Sequence, residues 1–211
     1  MASSTDTNIT TSTPPVPRDC HGSIAPQPIA TPTYGPGGSF TIYSSTNISA
    51  PPDAAFAVLT DYSKWPEWNR FVRKVTVNSD PNATAIEKDT TMTFDVHMDP
   101  LDPDSVPRKE NMLVTILEPY EVKGERKGWR IAWRSTSYPS WMLRSERVQE
   151  FVDDGHGNTE YTCWETMYGP LAPVVRLAVG SKLGTGFQCW SEDLKKRAEE
   201  SFKKETAPPL S

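Results

Sequence analysis

The sequence predicts an α+β fold in which a curved antiparallel sheet of about six or seven strands wraps around one long C-terminal helix. Two short helix-forming segments follow the first strand, within residues 48–68, and an amphipathic stretch runs from Leu183 to Ala198. The chain between them carries a run of β-like segments. This order of elements is typical of helices packed on one face of an antiparallel sheet, an arrangement that often encloses a cavity. The side chains that face inward would then decide the function.

The first strand is predicted near residues 39–49, with the two short helices directly after it. Pro51 and Pro52 suit the first turn of a helix, because the backbone N–H that proline lacks has no partner at that position. Residues 64–68 form the second short helix, whose two tryptophans are expected to pack against the sheet.

A strand predicted at residues 90–98 alternates apolar and polar residues at a period of two. Met92, Phe94 and Val96 therefore share one face, which we expect to point inward. His97 lies on the opposite face, which we expect to point outward.

The strand predicted at residues 129–134 places Trp129 and Trp133 on one face. Two interpretations remain open: these side chains fill the core, or they form the wall of a cavity for a flat or apolar ligand. The loop that follows contains Tyr138 and Trp141, whose aromatic side chains could close the entrance of such a cavity.

The strand near residues 144–152 does not reveal which of its faces is inward. Val148 and Val152 favour one face, whereas Leu143 and Phe151 favour the other. A bulge or an edge position is expected from such a mixed pattern.

The strand near residues 159–168 has the clearest alternation, and one of its faces carries Tyr161, Cys163, Glu165 and Met167. If this face is inward, Glu165 is a carboxylate in an apolar cavity. Burial favours the protonated form of such a group and makes proton transfer near neutral pH feasible.

A structural role for Glu165 is the alternative. A salt bridge to Arg144, Arg147 or Arg176 would anchor the last helix without any part in catalysis. Tyr161 is the second catalytic candidate, because its hydroxyl could polarise a carbonyl, but a buried tyrosine hydroxyl also needs a partner for its own sake.

The last helix is predicted from a stripe of apolar residues at spacings of four, three, four and four: Leu183, Phe187, Trp190, Leu194 and Ala198. A stripe with this spacing lies on one side of a helix and faces the sheet.

Three glycines, Gly180, Gly184 and Gly186, interrupt the beginning of this helix. Glycine in a helix interior costs about 1 kcal/mol relative to alanine. We therefore expect residues 177–187 to form a flexible side of the cavity.

The composition argues against several function classes. The formal net charge is −5, and no basic stripe is present, so nucleic-acid binding is not expected. No run approaches the roughly 18 apolar residues of a membrane span. The three cysteines and three histidines lack the spacing of metal sites, and no nucleotide-binding motif occurs, so neither a metal nor a cofactor is expected. The oligomeric state stays open.

The chain is expected to contain a single folded domain at residues 38–205. Residues 1–37 are rich in Thr, Ser and Pro and have too little apolar surface to offset the entropy of ordering, so they are expected to be disordered. Residues 206–211 form a short C-terminal tail. The N-terminus lacks the basic and apolar regions of a secretory signal, so a cytoplasmic location is expected.

Two segments carry a family resemblance. Residues 48–68 contain Ala-Pro-Pro followed by Trp-Pro-Glu-Trp, and residues 157–171 form a closing strand with Glu165 near its end and a glycine before the last helix. In this order they resemble the START, birch-pollen-allergen and polyketide-cyclase superfamily, abbreviated SRPBCC, over residues 38–204. The resemblance implies a helix-grip fold and places the face of Glu165 inside.

The resemblance implies that the domain binds a hydrophobic small molecule in an internal cavity. It leaves open a cofactor-independent cyclase or dehydratase acting on a polyketide-like or terpenoid substrate, with Glu165 and Tyr161 as catalytic residues. It also leaves open a non-catalytic carrier or sensor of a lipid, quinone or aromatic metabolite, and a protein-binding module like co-chaperone relatives. The expected ligand-binding residues are Met92, Phe94, Val96, Trp129, Trp133, Tyr138, Trp141, Cys163, Met167, Leu183, Phe187 and Trp190. Large aromatics could also fill the interior completely.

Overall fold

The computed structural model describes residues 16–80, 82–122 and 126–207. Within these ranges the chain forms eight strands, three α-helices and a short 3-10 helix at Tyr62–Lys64. The elements are β1 (Ser23–Ile24), β2 (Phe40–Ile48), α1 (Pro52–Thr60), α2 (Trp65–Trp68), β3 (Val72–Val77), β4 (Thr91–Val96), β5 (Arg108–Val122), β6 (Arg126–Ser135), β7 (Arg144–Asp153), β8 (Thr159–Tyr168) and α3 (Ala172–Thr206).

All eight strands form one antiparallel sheet in the order β1-β2-β8-β7-β6-β5-β4-β3. Strands β3 to β8 follow one another as hairpin neighbours, and β2 pairs with β8. The helix α3 covers one face of this sheet, its inner face, and buries the predicted stripe there. The predicted helix-grip fold is therefore confirmed, with eight strands instead of six or seven.

The segment from residue 16 to residue 37 differs from the predicted disordered tail. Its strand β1 pairs with β2, Gly22 packs against α3, and Val16 and Ile29 lie on the outer face of the sheet. Val16 packs there against Val148 and Trp164. Glu146, which is fully buried, accepts hydrogen bonds from the backbone N–H and the hydroxyl of Thr33 at 2.9 and 2.5 Å. The segment has few apolar residues, but it covers an apolar surface that other strands supply. Residues 1–15 lie outside the described ranges.

The strand β7 is a central strand, not an edge or a bulged strand as the sequence suggested. It pairs in continuous register with β6 and with β8. Arg147, Gln149 and Phe151 alternate with Val148 and Val152 along it, and all five side chains are buried. Both faces are covered, one by α3 and one by the N-terminal segment. For this reason the apolar residues do not mark the inner face.

The helix α3 is longer than the predicted amphipathic stretch, and its glycines permit close packing. The backbone N–H of Gly22 donates to Gln188 at 2.7 Å, and a Cβ on Gly184 would lie 3.0 Å from the Gly22 carbonyl oxygen. A Cβ on Gly186 would lie 2.3 Å from the ring of Phe71. These contacts give the glycines a packing role in a continuous helix. No helix within the described ranges combines the length and apolarity needed to span a membrane.

His97 does not face outward as expected. It is 7% exposed, and its Nδ1 lies 2.8 Å from the carbonyl oxygen of Ser105 and 3.0 Å from the Ser105 hydroxyl. The loop between β4 and β5 folds back over the imidazole. The prediction failed because alternation on one strand cannot show what a neighbouring loop covers. The predicted C-terminal tail is helical at Thr206, and residues 208–211 lie outside the described ranges.

Candidate functional site

An apolar cavity of about 110 Å³ lies between the inner face of the sheet and the first half of α3. The strands β4, β6 and β8 and the loop after β6 contribute side chains to its wall. Seven of the residues expected to bind a ligand or to act on it line this cavity: Phe94, Val96, Trp133, Tyr138, Glu165, Met167 and Leu183.

Seven other predicted site residues do not line the cavity: Met92, Trp129, Trp141, Tyr161, Cys163, Phe187 and Trp190. Trp129 stacks on Phe56 at a ring distance of 4.9 Å and donates a hydrogen bond to Asp53, which fixes α1 on the sheet. Trp141 is 71% exposed. The period of a strand shows which residues share a face, but not how far along the strand the cavity extends.

Tyr161 and Trp190 belong to a buried polar cluster below the cavity. The Tyr161 hydroxyl donates to Gln149 Oε1 at 2.6 Å, and the Trp190 indole N–H lies 3.0 Å from both oxygens. Burial raises the pKa of the Tyr161 hydroxyl well above its ordinary value. Burial also raises the pKa of the neighbouring Cys163 thiol to about 12. These groups hold their protons and stabilise the core.

A buried ion pair forms the polar part of the cavity wall. Arg147 and Glu165 are directly opposite each other on β7 and β8, and they are 6% and 8% exposed. The Nε and Nη2 atoms of Arg147 lie 3.1 and 3.0 Å from Glu165 Oε2. Both contacts go to the same oxygen. Of the three arginines considered as partners of Glu165, Arg147 therefore forms the salt bridge.

Aromatic rings hold the guanidinium of Arg147 in place. Its Cζ lies 4.2 Å from the ring centre of Phe187, 5.3 Å from that of Trp190 and 5.6 Å from that of Phe71. Contacts of this geometry are cation–π interactions. The predicted residues Phe187 and Trp190 thus act on the site through Arg147.

Polar residues that the sequence did not single out lie nearer the surface of the cavity. Ser135 donates a hydrogen bond to Glu110, and Arg108 donates one to the hydroxyl of Tyr138. Arg108 is exposed and marks the cavity entrance. The contact between Ser135 and Glu110 could have been predicted from hairpin pairing. Ser135 is opposite Met112, and Glu110 lies two residues from Met112 on the same face of the strand. Within the described part of the chain, no group of three or more His, Cys, Asp or Glu side chains could hold a metal ion.

The cavity is small. An apolar cavity of roughly 150 Å³ in a protein core accommodates benzene, and pockets for drug-sized ligands are several times larger. A cavity of about 110 Å³ matches a ring-sized group. Larger ligands require half-buried wall residues such as Tyr138 or Val179 to move aside.

Residues 39–199 match the family described as polyketide cyclase / dehydrase and lipid transport. The chain is also similar to a protein of Penicillium oxalicum named oxopyrrolidines biosynthesis cluster protein O. The two are 31% identical over 170 residues, which cover 73% of this chain and 84% of the relative.

Solved structures support the fold. The Zhui aromatase/cyclase from Streptomyces sp. R1128 aligns with a TM-score of 0.60 at 10% identity, over 80% of this chain and 98% of that structure. A hypothetical protein from Helicobacter pylori aligns with a TM-score of 0.56 at 14% identity, over 74% and 86% of the two chains. At these identities the likeness is one of fold. Together with the match over residues 39–199, it shows that the chain belongs to the polyketide cyclase/dehydrase and lipid transport family of the SRPBCC superfamily.

Proposed function

We propose that the protein binds a mainly apolar small molecule in the cavity and catalyses a cyclisation or dehydration in which Glu165 moves a proton. The observation that carries this proposal is the buried Arg147–Glu165 pair in the wall of an otherwise largely apolar cavity. Membership of the cyclase and dehydrase family supports the same reaction class.

The ion pair is not needed to join the two strands. Strands β7 and β8 already pair over ten residues from Arg144 to Asp153. Moving two charges out of water is costly, and replacing a buried ion pair by apolar residues is often neutral or stabilising. A costly buried pair in a cavity wall supports a role for its charges in the chemistry of the cavity.

The pair has the parts that carbonyl chemistry requires. Glu165 would accept a proton from a carbon next to a carbonyl group, and the Arg147 guanidinium would stabilise the negative charge that develops on the carbonyl oxygen. The carbanion would then attack a second carbonyl carbon of the same molecule, forming a carbon–carbon bond. The alkoxide formed by this attack would take up the proton from Glu165 and become a hydroxyl group. Glu165 would then remove a second proton from the attacking carbon and deliver it to the departing hydroxyl, so that a carbon–carbon double bond forms and water is released. The cavity would hold the reacting atoms close together.

The first experiment identifies the ligand. The protein is purified from its native host, and the small molecules released by denaturation are analysed by mass spectrometry. We expect an apolar metabolite that no longer co-purifies with the Trp133→Ala variant. An empty protein that also fails to take up a fluorescent apolar probe would contradict the proposed binding function.

The second experiment tests catalysis with a matched pair of variants. Glu150 is 3% exposed and binds Arg130 at 2.7 Å on the outer face, so it is a buried, arginine-paired glutamate away from the cavity. We expect Glu165→Gln to bind the co-purified metabolite but to lose its conversion about a hundredfold or more. Glu150→Gln should keep the conversion rate. Equal rates in both variants would show that Glu165 is not the proton carrier.

A non-catalytic carrier is the second candidate, and the apolar residues that make up most of the cavity wall favour it. A carrier needs an apolar wall and no acid or base, and the Arg147–Glu165 pair would then serve only to orient the ligand. In that case the metabolite leaves the wild-type protein chemically unchanged after incubation, and Glu165→Gln changes only the binding affinity.

A further inference from the structure

Trp133 carries an indole N–H without a hydrogen-bond partner inside the protein. Its side chain is fully buried, lines the cavity and has no acceptor within hydrogen-bond distance of Nε1 among the described residues. Buried tryptophan N–H groups usually find a partner, because a buried donor without one costs about 1–3 kcal/mol.

Four other tryptophans follow this rule. Their indole N–H groups donate to oxygen atoms at 2.6 to 3.3 Å in Trp65, Trp129, Trp164 and Trp190. Trp68 Nε1 is also buried without a partner, but Trp68 lies on α2 and does not line the cavity. Trp133 is therefore the tryptophan whose unpaired N–H belongs to the cavity wall. Of the buried side-chain atoms without a partner in the described chain, Trp133 Nε1 alone belongs to a residue of the cavity wall.

The protein surroundings of Trp133 cannot replace the missing acceptor. The rings of Phe94, Trp190 and Trp65 pack around the indole with centroid distances of 5.6, 6.1 and 6.2 Å. An aromatic face is at best a weak acceptor of an N–H group. An oxygen atom on a bound ligand would accept the hydrogen bond and remove the free-energy cost of the buried, unpaired N–H group.

The position of Trp133 adds a second constraint. Trp133 and Arg147 are directly opposite each other on β6 and β7. Directly opposite residues in an antiparallel sheet have Cβ atoms about 5 Å apart. Both residues line the cavity, so the indole and the guanidinium that holds Glu165 border the same space.

We infer that Trp133 Nε1 binds an acceptor oxygen of the ligand, and that the ligand is a ring-sized, mainly apolar carbonyl compound. This inference rests on the proposed binding function. It makes Trp133 a specificity-determining residue, which discriminates a ketone from the hydrocarbon of the same shape. A site with a buried unpaired donor rejects the analogue that lacks the matching group.

The test uses two single-ring probes of nearly equal shape, cyclohexanone and methylenecyclohexane, in which a carbonyl oxygen replaces a methylene group. Heteronuclear NMR follows the indole N–H signals of the seven tryptophans, and the Trp133 signal is assigned by its absence in Trp133→Phe. We expect cyclohexanone to move the Trp133 N–H signal downfield, as a new hydrogen bond does, and methylenecyclohexane to leave it without a downfield shift. This measurement on the wild-type protein stands even if the variant folds poorly, because the signal can also be assigned by contacts to neighbouring protons.

Affinities provide an independent readout. The ratio of the dissociation constants of methylenecyclohexane and cyclohexanone is measured for the wild type, for Trp133→Phe and for the control Trp129→Phe, whose indole already donates to Asp53 outside the cavity. We expect the ratio to fall about tenfold in Trp133→Phe and to stay unchanged in Trp129→Phe. A change in cavity size affects both probes alike and cancels in the ratio.

The outcomes separate this inference from the proposed function. Binding of both probes with an unmoved Trp133 signal, or with a ratio that Trp133→Phe does not change, overturns the role of the indole and leaves binding in the cavity intact. Failure of both probes to bind contradicts the binding function and the inference together.

Discussion

The two ends of the interior between the sheet and α3 differ in how completely they are filled. At the closed end, Gln149, Tyr161 and Trp190 form a hydrogen-bonded cluster whose side chains are all fully buried or nearly so. Phe151 packs against Tyr161 with ring centres 4.9 Å apart and extends this filled region.

At the cavity end the same strands leave a space. Arg147 and Glu165 lie only two residues along β7 and β8 from Gln149 and Cys163. The helix contributes Val175, Val179 and Leu183 here, whereas it contributes Trp190 at the closed end.

The comparison teaches that the size of the helix side chains decides where the interior is hollow. The sheet presents a mixed polar and aromatic surface at both ends, but a tryptophan reaches across the gap and a valine does not. A small number of positions on α3 therefore separates a solid core from a binding site.

The largest expected effect on the free energy of unfolding comes from truncating one side chain at each end of the interior. Trp190→Ala should lower the free energy of unfolding by about 4 kcal/mol, because it empties a filled region and removes a donor from Gln149. Leu183→Ala should cost about 2 kcal/mol, at the low end for such changes, because the side chain already borders a void. Chemical denaturation measures both values. Equal losses would show that the two ends are packed alike.

Substitution of a glycine in α3 should have an effect of intermediate size on the free energy of unfolding. Gly186→Ala should lower the free energy of unfolding by about 2 kcal/mol, because the new methyl group meets the Phe71 ring, which lines the cavity. Displacement of that ring should also change the affinity for an apolar probe.

Gly180→Ala is the matched control for this change. Its new methyl group would lie 3.2 Å from the flexible end of Ile24, so the helix should gain up to about 1 kcal/mol from the better propensity of alanine. If Gly186→Ala and Gly180→Ala both raised the free energy of unfolding, the result would instead support a flexible segment at residues 177–187.

The smallest effect concerns pH at the cavity end. Burial, together with the nearby charge of Arg73, lowers the pKa of His97 below its usual 6.5. The folded state therefore prefers the neutral imidazole, while the unfolded chain takes up a proton near its ordinary pKa. Stability should be fully present above about pH 6.5 and should fall as the pH drops toward the lower pKa of the folded state.

His97→Gln should remove this part of the pH dependence. The free energy of unfolding is measured between neutral and mildly acidic pH for the wild type, for this variant and for His156→Gln, which removes an exposed imidazole. If the free energy of unfolding had the same dependence on pH in the wild type and in His97→Gln, other groups would be the cause of the loss of stability in acid.

Much of the inner surface could be predicted because strands and helices repeat at known periods. The inward position of Phe94 followed from alternation, and the buried stripe of α3 followed from its spacing. Alternation also grouped Met167 with Glu165, and the family resemblance placed their face inside. Arg147 could not be found in this way. Both faces of β7 are covered, so each face carries charged and apolar residues: Arg147 and Phe151 point inward, and Val148 and Glu150 point outward. Alternation along this strand therefore gives no sign of the inner face.

The sequence by itself determined the order of elements and the residues that share a face with Glu165, because these depend on local periodicity and on residues that are close along the chain. The helix-grip fold and the inward direction of that face followed from the family resemblance. Only the tertiary structure decided that Arg147 takes Glu165 as its partner, that residues 16–37 cover the outer face, and that the interior is filled at Trp190 but hollow at Leu183. These features depend on contacts between segments far apart in the chain, and on whether opposing side chains are large enough to meet. No repeat within a single segment carries that information.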